Sequence, residues 1–150
     1  MKTNTRDGEP SKAALIVGAG DATGSAIARR FAREGYVACL VRRNADKLQP
    51  LVDAIRAEGG EARGFAADAR KEEQVAELIE TIESEVGPIE VFVFNIGANV
   101  PCGILDETPR KFFKIWEMAC FAGFLTSQAA ARRMAARQRG TILFTGATAA

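Results

Sequence analysis

The 150 residues contain no histidine, a single tyrosine, a single tryptophan and three cysteines. Lacking histidine, the chain cannot build a Ser-His-Asp or Cys-His catalytic set or a His-ligated zinc site. Cys39, Cys102 and Cys120 are odd in number and widely spaced, so they make no disulfide framework and read as free thiols of a reducing cytoplasm. No apolar run approaches the roughly 20 residues that span a bilayer, and the first twelve residues, MKTNTRDGEPSK, are polar; neither export nor membrane anchoring is expected. The 20 basic and 19 acidic residues are interspersed and leave a net charge of +1, so no basic stripe exists to bind nucleic acid or an anionic membrane. With 47% hydrophobic and 26% charged residues the composition is that of one folded domain with a core, expected over residues 13–150 behind a polar tail, residues 1–12.

Short apolar runs recur: Ala13-Ala14-Leu15-Ile16-Val17, Val37-Ala38-Cys39-Leu40-Val41 and Ile89-Glu90-Val91-Phe92-Val93-Phe94. Their length and bounding glycines predict buried strands, with a weaker one near Ala62 to Ala66 and a last at Thr141 to Phe144. Between them the apolar spacing becomes helical, as in Leu48, Leu51, Val52, Ile55 and in Val75, Leu78, Ile79, Ile82, Val86. Gly35, Gly59-Gly60 and Gly87-Pro88 stand where helices should stop, and Thr108-Pro109 supplies a cap and a proline first turn. Glu72, Glu73, Glu80, Glu83 and Glu85 are read as solvated helix faces. Alternation of strands with helices of this length requires crossover connections. The expected fold is therefore doubly wound α/β, about five parallel strands with helices on both faces and ligands at the carboxyl ends of the strands.

Behind the first strand lies Gly18-Ala19-Gly20-Asp21-Ala22-Thr23-Gly24, running into a helix expected over Ser25 to Arg33. Glycines let the backbone turn and approach a pyrophosphate, which the helix N-terminus holds through its amides. G-x-G-x-x-G fails because Thr23 stands where its last glycine belongs, and no Gly-Lys-Ser/Thr follows as in a Walker loop. A tight strand-to-helix turn is the bland alternative. The spacing Gly18, Ala22, Gly24 instead resembles the glycine motif of the short-chain dehydrogenase/reductase family, with alanine for the middle glycine, tolerable if Ala22 has negative φ. Ala67-Asp68-Ala69 is similar to that family's Asp-hydrophobic pair, and Val93-Phe94-Asn95-Ile96-Gly97 to its V-N-N-A-G segment, departing at Phe94 and Ile96. The resemblance covers nearly the whole chain from Ala13. It implies a Rossmann-type domain, truncated relative to the family, in which Gly18, Gly20, Asp21, Ala22, Thr23 and Gly24 hold phosphates, Asp68 and Ala69 meet adenine, and Asn95, Ile96 and Gly97 lie beside the nicotinamide ribose. Alternatively Asp68 is the N-cap of a helix beginning near Lys71, and Asn95-Ile96-Gly97 an ordinary strand-end turn.

The end of the second strand chooses the dinucleotide. NAD-specific sites place a carboxylate there, whereas the 2′-phosphate of NADP calls for positive charge. Arg42 and Arg43 occupy that place, 24 and 25 residues after Gly18, and arginine presents a fork matched to phosphate. NADP is the expected cofactor, although two solvated arginines ahead of a helix capped by Asn44 would look alike. Asp21 opposes the preference weakly.

The resemblance also implies an Asn, Ser, Tyr, Lys catalytic set, and here the sequence departs. Cys120 falls where the asparagine is expected and Ala147 at the serine, with Thr148 the nearest hydroxyl. The family's Tyr-x-x-x-Lys belongs beyond the fifth strand, and Tyr36, which opens the second strand, has no lysine four residues on. No catalytic residue is assigned, and the 150 residues alone are expected to be inactive. The stretch Ala98 to Asp106 is a long connection at the ligand-facing edge, either a substrate cover or a spacer. A long helix from Pro109 to about Arg137 carries Phe112, Phe113, Trp116, Phe121 and Phe124, more apolar surface than one sheet face needs, which fits a homo-oligomer contact or a buried layer of a longer chain. The expected partners are a dinucleotide and a small carbonyl or alcohol substrate. The readings left open are an NADP-dependent oxidoreductase, a non-catalytic dinucleotide-binding or regulatory module, and a structural α/β domain.

Overall fold

The structure, a computed structural model, describes residues 11–20, 22–97 and 101–146. Its elements are β1 (Ala13–Val17), α1 (Thr23–Arg33), β2 (Val37–Arg42), a 3-10 turn (Ala45–Leu48), α2 (Gln49–Ala57), β3 (Glu61–Ala66), α3 (Glu72–Glu85), β4 (Ile89–Phe94), α4 (Pro109–Trp116), a π-helical segment (Glu117–Phe121), α5 (Ala122–Arg137) and β5 (Thr141–Phe144). The strands form one parallel sheet in the order β3-β2-β1-β4-β5. The chain thus winds outward from β1 through β2 to β3, then crosses back to lay β4 on the other side of β1. The reversal leaves a crevice at the carboxyl ends of β1 and β4.

Period-two alternation sends each strand's side chains to two separate cores. Leu15, Val17, Cys39, Val41, Phe92 and Phe94 face α3 and α5 through Leu78, Ile79, Ile82, Ala130 and Met134. Ala14, Ile16, Ala38, Leu40, Val91 and Val93 face α1 and α2 through Ala28, Ala32, Val52 and Ile55. An irregularity in the β1–β4 pairing moves Ala13↔Ile89 to Ala14↔Val91, and that one-residue slip pairs Leu15 with Phe92 on a common face. Apolar runs without alternation, read as doubly covered strands, are explained by these two layers.

Most boundaries follow local chemistry. Thr108 accepts from the Lys111 amide at 3.3 Å with Pro109 in the first turn, and Asn44 accepts from the Asp46 amide at 2.9 Å, so both caps sit where expected. Three expectations change. The helix after the glycine loop begins at Thr23 rather than Ser25. The 109–137 helix is not uniform, since Glu117–Phe121 widens into a π turn. Glu80 and Glu83 do not form a merely solvated face: Glu80 pairs with Arg133, and Glu83 takes both Arg137 nitrogens at 2.7 and 3.1 Å and the Ile89 amide at 2.9 Å. The reason is the α3–α5 contact, which brings residues more than 50 positions apart together. Glu72 and Glu73 stay in the first turn of α3, where carboxylates suit the helix dipole.

Phe92 is fully buried at the middle of β4. Phe92→Ala should cost about 3–5 kcal/mol, a large share of an ordinary domain's 5–15 kcal/mol, and Phe92→Leu markedly less. Urea midpoints of the two variants check it; equal midpoints would show that β4 does not organise the core.

Candidate functional site: a cleft at the carboxyl ends of the strands

Gly18 ends β1 with φ +89°, and a Cβ there would meet the Asn95 carbonyl oxygen at 2.7 Å. Only glycine lets the two strand ends approach so closely. Asn95 locks the approach: its amide donates to the Val17 oxygen at 2.8 Å and its Nδ2 to the Gly18 oxygen at 3.0 Å, while its Oδ1 accepts from the Thr145 hydroxyl at 2.9 Å. One side chain therefore fastens the ends of β1 and β4 to the segment after β5.

Gly24 makes the second close approach, since a Cβ on it would stand 2.5 Å from the Gly18 oxygen and 2.8 Å from Ala19 Cα. Ala22 has φ −101°, the negative value an alanine requires in this loop. Gly20 donates to the Gly18 oxygen at 2.8 Å and accepts from the Ser25 amide at 2.9 Å, which folds the loop onto the start of α1. The amides of Thr23 and Gly24 precede the first intrahelical bond, from Ala26 to Ala22, and are of the kind that receives an anion. Asp21 lies outside the described residues.

Beside this loop is a cleft enclosing about 170 Å³, lined by Val17, Gly18, Val41, Arg42, Arg43, Ala67, Asp68, Ala69, Arg70, Ile96, Met118 and Ala122. That is less than the about 300–1,000 Å³ that encloses a whole drug-sized ligand, so it seats one part of an extended molecule. Of the residues singled out from sequence, Gly18, Arg42, Arg43, Asp68, Ala69 and Ile96 line it. Gly20, Ala22, Thr23 and Gly24 form the adjoining loop, Asn95 bonds to Gly18, and Gly97 is exposed and does not line the cleft.

Asp68 is not a helix cap. The cap residue of α3 is Lys71, whose amide bonds the Asp68 carbonyl rather than its carboxylate, because the carboxylate is already engaged. Oδ1 accepts from the Arg70 amide at 3.1 Å and from Arg70 Nε at 2.9 Å, and Oδ2 accepts from Nη2 at 2.6 Å. Arg70's hydrogen bonds, helped by its charge and that of Arg43 and opposed by partial burial, hold the Asp68 carboxyl at about 2 against an ordinary 3.8. Arg70 was missed by sequence reading, although Asp-x-Arg after a strand is a local signal for an Asx-type turn. Met118 and Ala122 were missed as well, and no local signal marks them, since they reach the cleft from the π segment and the helix after it.

Among the described residues, neither Cys120 nor Tyr36 lines this cleft. Cys120 is exposed on the π segment. Ala147 and Thr148 lie outside the described residues. Tyr36 packs edge-on against Phe31, ring centroids 5.6 Å apart, beneath the Lys12 ammonium at 4.6 Å, at the amino end of β2 away from the cleft. Cys39 is buried in the core, and burial pushes its thiol up to about 12, which makes it inert.

The sequence model of the short chain dehydrogenase family matches residues 12–150. The chain belongs to that family. It is 32% identical over 143 residues to a 2,3-dihydro-2,3-dihydroxybenzoate dehydrogenase of Bacillus subtilis (strain 168), a match covering 95% of this chain and 55% of that protein. Among solved structures, a short-chain dehydrogenase from Rhodopseudomonas palustris superposes with a TM-score of 0.86 at 45% identity, covering 91% of this chain and 64% of the other. A metagenomic short-chain oxidoreductase in complex with NADP matches with a TM-score of 0.85 at 28% identity, covering 93% and 63%. The chain thus spans roughly half of the curated dehydrogenases it matches, 55% in the Bacillus case. As in other short-chain dehydrogenases the fold is a Rossmann-like parallel sheet, and no helix among the described residues is long and apolar enough to cross a membrane.

Because the folded state lowers the Asp68 pKa, it favours the ionised form; this contribution is complete above about pH 4 and vanishes as pH falls to about 2. Asp68→Asn should therefore be less sensitive to acid across that window, by about 1–2 kcal/mol after allowance for solvent screening. Urea unfolding at pH 5 and pH 2.5 measures it. Identical losses in the two proteins would refute the role of the Arg70 pairing.

Proposed function

We propose that this chain is the cofactor-binding portion of an NADP-dependent oxidoreductase that transfers hydride between the nicotinamide and a carbonyl or alcohol substrate. The observation that carries the cofactor choice is the pair Arg42 and Arg43, which closes β2 and lines the cleft beside Gly18. An NAD-specific site needs a carboxylate at this point to bind the ribose hydroxyls. Here the nearby acid of the cleft, Asp68, is engaged by Arg70. The carboxylate is thus already neutralised and opposes a 2′-phosphate little. The NADP complex of the metagenomic oxidoreductase supports the same choice.

In this reading Gly20, Ala22, Thr23 and Gly24 receive the pyrophosphate on the first turn of α1, Asp68 and Ala69 border the adenine, and Asn95, Ile96 and Gly97 border the nicotinamide-side ribose. The bound dinucleotide supplies the hydride chemistry. This chain's residues orient it: Gly18 and Gly24 bring backbone close to the phosphates, and Asn95 keeps the crevice open to one width. A second reading, a dinucleotide-binding regulatory module, is favoured by Cys120, which stands where the family places its asparagine. The paired face of α4 and α5, where Phe112, Phe113, Trp116 and Phe124 are exposed, is proposed as a contact between copies. A cytoplasmic setting accords with the three unpaired thiols.

One charge-assisted hydrogen bond contributes about 1.5–3 kcal/mol, and 1.4 kcal/mol is roughly tenfold in affinity. NADPH should therefore bind at least about tenfold tighter than NADH, and Arg42→Ala or Arg43→Ala should cut that ratio. Fluorescence titration of the chain with each reduced dinucleotide, at low and moderate salt, is the measurement. Equal affinities in the unmodified chain, or ratios untouched by either substitution, would overturn the NADP assignment.

A further inference from the structure

The glycine loop is built around the carbonyl oxygen of Gly18. That oxygen accepts from the Gly20 amide at 2.8 Å and from Asn95 Nδ2 at 3.0 Å, which fills both of its lone pairs. Gly24 backs onto the same oxygen with no room for a Cβ, so any shift of this carbonyl is passed to the first turn of α1. With Nδ2 committed to Gly18, the Asn95 carboxamide must present Oδ1 on its other side, where an acceptor needs a donor. Thr145, the residue after β5, supplies it. Its hydroxyl has one hydrogen, and the nearer acceptor is Asn95 Oδ1 at 2.9 Å, against 3.3 Å for the Phe94 oxygen, which already accepts from the Thr145 amide at 3.0 Å.

From this geometry we infer that Thr145 is a positioning residue for the dinucleotide's pyrophosphate, acting through Asn95 and the Gly18 carbonyl. The Asn95 carboxamide is gripped at both ends, by Gly18 on one side and by the Thr145 hydroxyl on the other. Released on the Thr145 side, it is free to swing, and the Gly18 carbonyl loses a fixed partner. Thr145 itself is held by its backbone, since its amide bonds the Phe94 oxygen and β5 stays in register with β4 through Phe94↔Phe144. Loss of the hydroxyl therefore leaves the strand in place and acts on the loop. The inference rests on the dinucleotide reading above and adds to it a residue that does not line the cleft.

The test titrates the unmodified chain, Thr145→Val and Thr145→Ser with NADPH, with NADH and with adenosine 2′-monophosphate, which carries base and ribose phosphate but no pyrophosphate. Valine has nearly the shape of threonine but sets a methyl at a distance from Oδ1 that only a hydrogen bond can keep. Thr145→Val should weaken NADPH and NADH alike, by at least about threefold. The NADPH to NADH ratio, set by Arg42 and Arg43, and the affinity for adenosine 2′-monophosphate should stay as they were. Thr145→Ser keeps the hydroxyl and should bind NADPH within about twofold of the unmodified chain. If Thr145→Val does not fold, as judged by circular dichroism, Thr145→Ala takes its place with the same expectation. Unchanged NADPH binding in the variant without the hydroxyl, or an equal loss in Thr145→Ser, would overturn the role of Thr145 and leave the dinucleotide reading standing. So would an equal loss for adenosine 2′-monophosphate, which would mark a general loosening of the structure. Failure of the unmodified chain to bind either dinucleotide would instead overturn that reading and this inference with it.

Discussion

The approach of Gly18 to Asn95 is the contact on which the site depends. Two parallel strands can run side by side under ordinary sheet hydrogen bonding, yet a crevice forms between them only where the chain leaves both in opposite directions. Gly18 removes the side chain that would separate the strand ends, and Asn95 converts the resulting proximity into three hydrogen bonds. The glycine loop then has one way to go, over the end of β1 and into α1, where Gly24 sits on the Gly18 carbonyl. The course of the loop is here a consequence of backbone packing, with no cationic side chain required inside it.

Charge in the molecule is handled by pairing at a distance in sequence. Arg133 and Arg137 of α5 meet Glu80 and Glu83 of α3, Arg139 meets Glu90 at 3.1 Å, and Arg29 and Arg33 meet Glu58. These exposed pairs contribute little stability each. Their effect is on direction: they fix how the helices lie against the sheet while the apolar layers supply the free energy. The Asp68–Arg70 pair differs in its place, since both of its residues line the cleft.

The sheet was legible because its causes are local and repeated. Five apolar runs gave five strands within a residue or so, and the caps at Thr108 and Asn44 are set by the residues beside them. The glycine spacing, Asp68 and the Asn95 segment drew attention to the strand ends that border the cleft. What escaped has a different character. Glu80 and Glu83 look solvated on a helical wheel, since their partners lie more than 50 residues away. The alternative of Asp68 as a helix cap and the arginine that engages its carboxylate compete for the same oxygens, and sequence does not weigh a two-residue fork against a cap. Met118 and Ala122 reach the cleft wall from the π segment and the residue that follows it, a departure from regular winding that the apolar spacing of 109–137 does not announce.

That departure acts on everything after it. A regular helix turns about 100° per residue, so a segment wound i to i+5 absorbs one additional position and sets the downstream side chains back by about that angle. Upstream, Phe112, Phe113 and Trp116 look outward, as does Phe124 just downstream; further on, Ala130 and Met134 pack into the core against the sheet. Glu117–Phe121 therefore works as a gear between two faces of one rod: it lets the same helix present an aromatic flank to its surroundings and an aliphatic flank to β4 without a break in the chain, and a gain or loss of a single residue there would rotate one flank into the place of the other.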